Sequence, residues 1–315
     1  RVLGAVAARE GDLHGRRAML YDQLASRTES ERHYQESLQA ALALPGRPRS
    51  AIGFAATSVG IAQRERAVAL SRLGRHGEAQ SLLDEHLQFI QRHALPGATA
   101  AGAHHAQAGL RIGQRPLADA ERQLRLAIQS LDDLRYPRSH PHQVSKVRDL
   151  ALVLWARGDA QAAQAELRLL DERLQRDAAP EVRGRMPYER GLVAFANQRH
   201  ADAARQFEEL ERSNRGVHGA GHFYVAQAQG LRAVALWRSA DPAQREAAGE
   251  LLKTAVLDLL SPRNADFIDD LATRRLVREL IFQAYLEAMA ERGGLQSLLA
   301  MGVAVVGFNA MVALG

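Results

Sequence analysis

The 315-residue chain has no cysteine, which excludes disulfides, thiolate zinc sites, iron–sulfur ligation and a cysteine nucleophile. Lysine is nearly absent: of 41 basic residues only Lys146 and Lys253 are lysine, and with abundant Ala and Leu this suggests translation from a GC-rich bacterial genome. Aromatic residues make up 5%, and 36 acidic residues leave a formal charge of +5. The arginines are scattered among Glu and Asp rather than gathered in a stripe, so a pI near 9.9 does not mark a nucleic-acid partner. Strand-like alternation is also missing, and so are G-x-S-x-G, H-E-x-x-H, G-x-G-x-x-G after a strand, and a glycine-rich loop before either lysine. No enzymatic activity and no cofactor are expected of these residues. At 46% hydrophobic and 24% charged, the chain nevertheless has globular composition.

What is present is helical periodicity, with apolar residues recurring at spacings of three and four. Prolines fall at the joints between the periodic segments, where a missing N–H costs least, and Pro116 opens a helix. The joints themselves recur. GRHGEAQSLL, PLADAERQLRLA, GDAQAAQAELRLL, QRHADAARQFEEL and PAQREAAGELL align on Ala79, Ala120, Ala163, Ala203 and Ala247, at a mean spacing of 42 residues. A large apolar residue follows each four positions on: Leu83, Leu124, Leu167, Phe207 and Leu251. Gly74 and Gly158 precede two of these alanines by five residues, where a tight turn needs unusual dihedrals. The pattern describes a hairpin in which a small residue lets two helices approach and a large one fills the space beside it. Each hairpin then buries its remaining apolar face on the next. Hairpins are expected at 1–45, 51–93, 97–134, 141–176, 180–213 and 219–260, the first degenerate.

These hairpins resemble tetratricopeptide (TPR) repeats, and the 42-residue spacing resembles the longer kinesin-light-chain-like variety, over about residues 51–260. His76 and Ala160 stand where the family places an aromatic, and QRHADA lacks the Gly, so the copies are divergent. RSHPHQVSKVRDLA and GVHGAGHFYVAQAQ resemble the loop that leads into the first helix of such repeats. The resemblance implies an all-α superhelix, a TPR-like solenoid. It is organised as a degenerate N-terminal hairpin (1–50), a repeat array (51–260), a closing helix (261–292) and an apolar C-terminal helix (293–315). The closing helix is expected to be capped by Asn264 or Asp266, with Leu271, Leu276, Leu280, Ile281, Tyr285 and Met289 on one face. It resembles the helix that precedes the caspase-like (CHAT) protease domain in bacterial proteins combining that domain with TPRs.

The histidine pairs His104–His105, His140–His142 and His218–His222 sit on different repeats without a convergent third ligand, and read as loop histidines rather than a metal site. In such an array the first helices line the concave face. Residues seven apart share a helix face, so Arg64 with Ser71 and Arg72, Arg148 with Trp155, and Tyr188 with Phe195 are expected there, joined by Arg111, Arg232 and Trp237. Arginine beside aromatics suits capture of a protein or peptide segment, because the guanidinium both pairs with carboxylates and stacks on rings. The 23 residues from Gly293 to Gly315 carry no charge and nearly match a bilayer span. The expectation is a cytoplasmic interaction scaffold or regulatory segment of a larger bacterial protein, binding a partner in its groove. Two alternatives stand beside it: the sensor region of a caspase-like protease or protein kinase, and a scaffold anchored in a membrane through residues 294–315.

Overall fold

A computed structural model describes residues 2–43, 49–92, 97–137, 139–177, 186–239, 241–261, 264 and 272–291. Among these residues there are twelve helices and no strand. Two compact units divide at Pro137 and Arg138.

The first unit contains α1 (Val2–Ala43), α2 (Arg49–Arg72), α3 (His76–Arg92), α4 (Gly97–Gln114) and α5 (Leu117–Asp132). The expected first hairpin is instead one continuous helix, α1, because residues 2–43 contain neither a proline nor a glycine-led turn in the second half to reverse the chain. It packs along α2 as the second helix of a preceding hairpin would, through Leu38 against Ala56 and Val59 and through ion pairs Arg66–Glu31 (3.0 Å) and Arg27–Glu65 (2.8 Å).

The second unit contains α6 (Pro141–Ala156), α7 (Ala160–Asp177), α8 (Pro187–Ala196), α9 (His200–His218), α10 (Phe223–Trp237), α11 (Pro242–Leu259) and α12 (Ala272–Glu291). The repeat logic is visible in burial. Ala79, Ala120, Ala163 and Ala203 are at most 1% exposed, and Leu83, Leu124, Leu167 and Phe207 at most 2%. Burying each of the large residues contributes roughly 1.5–3 kcal/mol. The fifth copy is one residue out of register: Ala247 is exposed, while Ala248 and Leu252 are the buried pair, both at 0%. A second recurring set lies on the first helices: Ala67, Ala108, Ala151, Gly191 and Ala233 are all buried. At Gly191 the close approach admits the Phe207 ring, where a Cβ would collide with it.

Four turns share one backbone device. The residue five before the buried alanine has positive φ in every case: Gly74 (75°), Arg115 (80°), Gly158 (87°) and Gln198 (58°). The turn geometry is therefore retained where its glycine is not, and Arg115 and Gln198 adopt a left-handed conformation that costs an L-residue about 1–2 kcal/mol.

Candidate functional site

The first helices of the hairpins are α2, α4, α6, α8 and α10. On α2 the stripe not buried by its neighbours runs Thr57, Ile61, Arg64, Val68, Ser71; Ile61 is 42% exposed and the others are half-buried. Arg72 lies beside it and is also half-buried. The Arg64 guanidinium lies over Gly102 of α4, whose missing side chain makes room for it: a Cβ there would stand 2.8 Å from Nη1. The turn register places His105, not Arg111, at the position equivalent to Arg64. Arg111 falls at the position of Leu70, and its guanidinium meets Gln114 at 3.4 Å within its own helix. Beneath this face, His86 Nδ1 meets Gln63 Oε1 at 3.1 Å, and burial, with Arg64 beside it, pushes the ring down to about 4.

In the second unit the same positions do other work. Arg148, whose side chain is 17% exposed, binds Asp149 through Nε and Glu189 through Nη1, both at 2.9 Å, and sits 5.3 Å from the Tyr188 ring centre. Burial opposes its charge, but Asp149, Tyr188 and Glu189 outweigh that and hold it above the ordinary arginine range. Burial likewise raises the Tyr188 hydroxyl, against the pull of Arg148. Arg148 and Tyr188 thus tie α6 to α8. Trp155 and Phe195 meet with tilted rings, 5.4 Å between centres, and Phe195 meets His200 edge-on at 5.3 Å. Trp237 is a correction to the expected groove: it is 6% exposed, with Arg245 over its ring at 4.9 Å, and so belongs to the packing. Arg232 pairs with Glu208 and Glu211 of α9.

Alignment of α6 and α10 on their N-caps explains why. His140 Nδ1 accepts from the His142 N–H and His222 Nδ1 from the Tyr224 N–H, so two histidines that sequence suggested were loop residues cap helices. Arg148 then matches Gly230, and the α2 stripe matches Phe223 (0% exposed), Gln227 (8%), Gly230, Val234 (1%) and Trp237 on α10, all buried. The cover is α12, which packs on α10 and α11 as α4 packs on α2 and α3, in the place of the first helix of a further hairpin. It also reaches α6, a contact for which α4 has no counterpart. A Cβ at Gly230 would stand 2.6 Å from Ile281 Cδ1; Arg274 donates to the Tyr224 hydroxyl at 2.5 Å; Arg238–Glu287 (2.6 Å) and Arg245–Glu291 (2.8 Å) fasten the far end. The offsets between these partners stay near 50 residues, so α12 runs parallel to α10. Leu276, Ile281 and Tyr285 face inward and Leu280 and Met289 are half-buried; Leu271 lies outside the described residues. The start of α12 and its cap lie outside the described residues, but Asn264 itself is described. It is buried and donates to the carbonyls of Gly221 (2.8 Å) and Asp258 (2.7 Å), while Asp266 lies outside the described residues.

Among the described residues no cluster of His, Asp and Glu could hold a metal, and no helix is long and apolar enough to cross a membrane. Residues 293–315, the expected apolar segment, lie outside them.

No family model matches the sequence, and no curated protein matches it. Solved structures do. BtubC (BKLC) from P. vanneervenii is similar at 15% identity and a TM-score of 0.56, over 76% of this chain and 92% of that one. TPR-like repeats of a putative kinesin light chain from Podosopora anserina align at 18% identity and a TM-score of 0.47, over 65% of this chain and 95% of that one. The likeness shows the fold, an all-α array of TPR-like repeats.

Proposed function

We propose that the chain is a protein-interaction scaffold, acting by recognition rather than catalysis, and that its receptive surface is the first-helix face of the first unit. The observation that supports this is the half-exposed α2 stripe, with Arg72 beside it and the Arg64 guanidinium lying over Gly102 of α4. An extended segment bearing carboxylates suits it, since guanidinium–carboxylate pairs give direction as well as attraction. Arg111 lies off this face and is not assigned to it. Arg148, Tyr188 and Trp237 serve the second unit's packing.

The test is titration of the full chain with fluorescent acidic peptides and their lysine-substituted counterparts. Binding is expected for the acidic series alone, with at least a 10-fold loss in the Arg64→Glu/Arg72→Glu variant at unchanged helicity. Equal binding of both series, or no change in the variant, would overturn the assignment. A regulatory role beside a catalytic domain is the second reading, supported by the closing helix α12 lying packed on the array. Extending the reading frame past residue 315 decides it, through the presence or absence of a domain with paired His and Cys.

A further inference from the structure

The corner between α9 and α10 is built around a stack of histidines that the repeat packing does not require. His218 ends α9 and His222 caps α10; their rings lie nearly parallel, with 15° between planes and 4.5 Å between centres. The Tyr224 ring closes the group, 5.1 Å from His218 and 5.3 Å from His222. His218 is exposed and His222 half-buried, so protons reach both. The cap itself is a hydrogen bond from the Tyr224 N–H to His222 Nδ1 at 3.3 Å, and the Val225 and Ala226 N–H groups donate to the His222 carbonyl at 2.9 and 3.0 Å. Because Nδ1 accepts, the ring proton sits on Nε2 and the imidazole is neutral.

A proton on Nδ1 undoes this arrangement. An imidazolium has donors and no acceptor, so the Tyr224 N–H loses its partner. The new charge stands at the N-terminus of α10, where the helix dipole disfavours a cation. Burial already holds His222 below the ordinary histidine range, and the charged groups that act on it, His218 of α9 and Arg274 of α12, push the same way as cations. What surrounds the cap is fixed by other means. Asn214 of α9 donates to the Tyr224 carbonyl at 3.1 Å, Asn264 to the Gly221 carbonyl at 2.8 Å, and Arg274 to the Tyr224 hydroxyl, while Phe223 is fully buried. Movement is therefore confined to His222 and the first turn of α10, and Gly221, at a positive φ of 75°, adjoins the residue that moves. α6 opens on the same kind of cap, but there the His140 ring meets His142 of its own helix, 5.1 Å away and tilted by 40°, rather than a stacked histidine of the preceding helix.

We propose that the α9–α10 corner is an acid-sensitive joint: at neutral pH the His222 ring caps α10 and stacks on His218, and its protonation breaks cap and stack together, fraying the first turn of α10. The sign follows from the cap. The folded corner favours neutral His222, so its contribution is complete above the ordinary histidine range and is lost as pH falls through the lowered folded value. The joint shares no residue with the Arg64 face and is read without a ligand, so either assignment can fail alone.

The test is amide hydrogen exchange of the full chain, followed by NMR across pH, with protection at Tyr224, Val225 and Ala226 corrected for the intrinsic exchange rate. From about pH 7.5 to about pH 5, wild-type protection at these amides should fall roughly 10-fold or more, while amides in the middle of α10 change less than about 2-fold. His222→Asn supplies an acceptor that does not titrate and should hold protection within about 2-fold over the same range. His218→Ala removes one of the neighbouring cations and should move the midpoint of the wild-type transition upward by about 0.3 pH. Protection in the wild type that ignores pH, or an equal fall in His222→Asn, overturns the proposal. So does an unmoved midpoint in His218→Ala, an exposed substitution that decides the matter even where Asn at position 222 disturbs the corner.

Discussion

Arg64 and Arg148 occupy the same repeat position in the two units and have opposite fates. In the first unit the arginine lies half-exposed over a glycine, and the stripe around it remains open. In the second it is held by Asp149, Glu189 and Tyr188, while the neighbouring stripe on α10 is buried under α12. The arginines differ because carboxylates stand beside Arg148, at Asp149 and Glu189, whereas the α10 stripe differs from that of α2 by what packs over it. On α10 the cover is a helix whose contacting residues lie about fifty positions farther along the chain. In a repeat protein, surface position alone therefore does not assign a binding residue, and the state of the covering element decides.

The largest expected effect follows from that contrast. Arg148→Ala strands the carboxylates of Asp149, 1% exposed, and Glu189, 9% exposed, and should lower stability by about 3–5 kcal/mol. Arg64→Ala should cost under about 1 kcal/mol. Chemical denaturation of both variants checks this, and similar losses would erase the distinction between the units.

Acid should separate the units next. The His86 ring, held near 4 in the folded chain, charges more readily when unfolded, so the folded form gains from it above pH 6.5. That contribution, on the order of 3 kcal/mol, is lost as pH falls from 6.5 through 4. Hydrogen exchange against pH should show the first unit weakening in this window, and His86→Gln should flatten the dependence. An unchanged profile would remove His86 as the cause.

The turns should give the smallest shifts. Gln198→Gly or Arg115→Gly relieves a left-handed residue and should raise stability by about 0.5 kcal/mol, the relief partly offset by glycine's greater freedom when unfolded. Gly158→Ala should lower it by about 1 kcal/mol although a Cβ there meets nothing within 4 Å, because the cost lies in the backbone. Thermal unfolding of each variant measures the shifts, and opposite signs would contradict the shared-turn reading.

The helical fold was legible in the sequence because each repeat states it locally, through a small residue, a large one a turn later and a turn between. Where two alanines adjoin, at Ala247 and Ala248, the motif fits either, and only packing selects the second. The register at Arg111 is hidden for a similar reason: the turn after it carries Arg115 rather than a glycine at the positive-φ position, and the register so set puts His105 at the inner position. The recurring small residues from Ala67 to Ala233 were readable but inconspicuous in an alanine-rich chain. The burial of Gly230 was not readable at all, since it depends on α12 lying on α10, where Ile281 meets it from 51 residues away. Nor could residues around His140 and His222 announce that their ring nitrogens cap helices, because histidine is an uncommon N-cap.

The central claim, that α12 lies over the first-helix face of the second unit, can be tested directly because the chain has no cysteine of its own. Gly230→Cys with Ile281→Cys places two thiols where the glycine and the isoleucine now meet. Mild oxidation should close an intrachain, reductant-reversible disulfide in the monomer. Two freely reactive thiols in a chain of wild-type helicity would contradict the account.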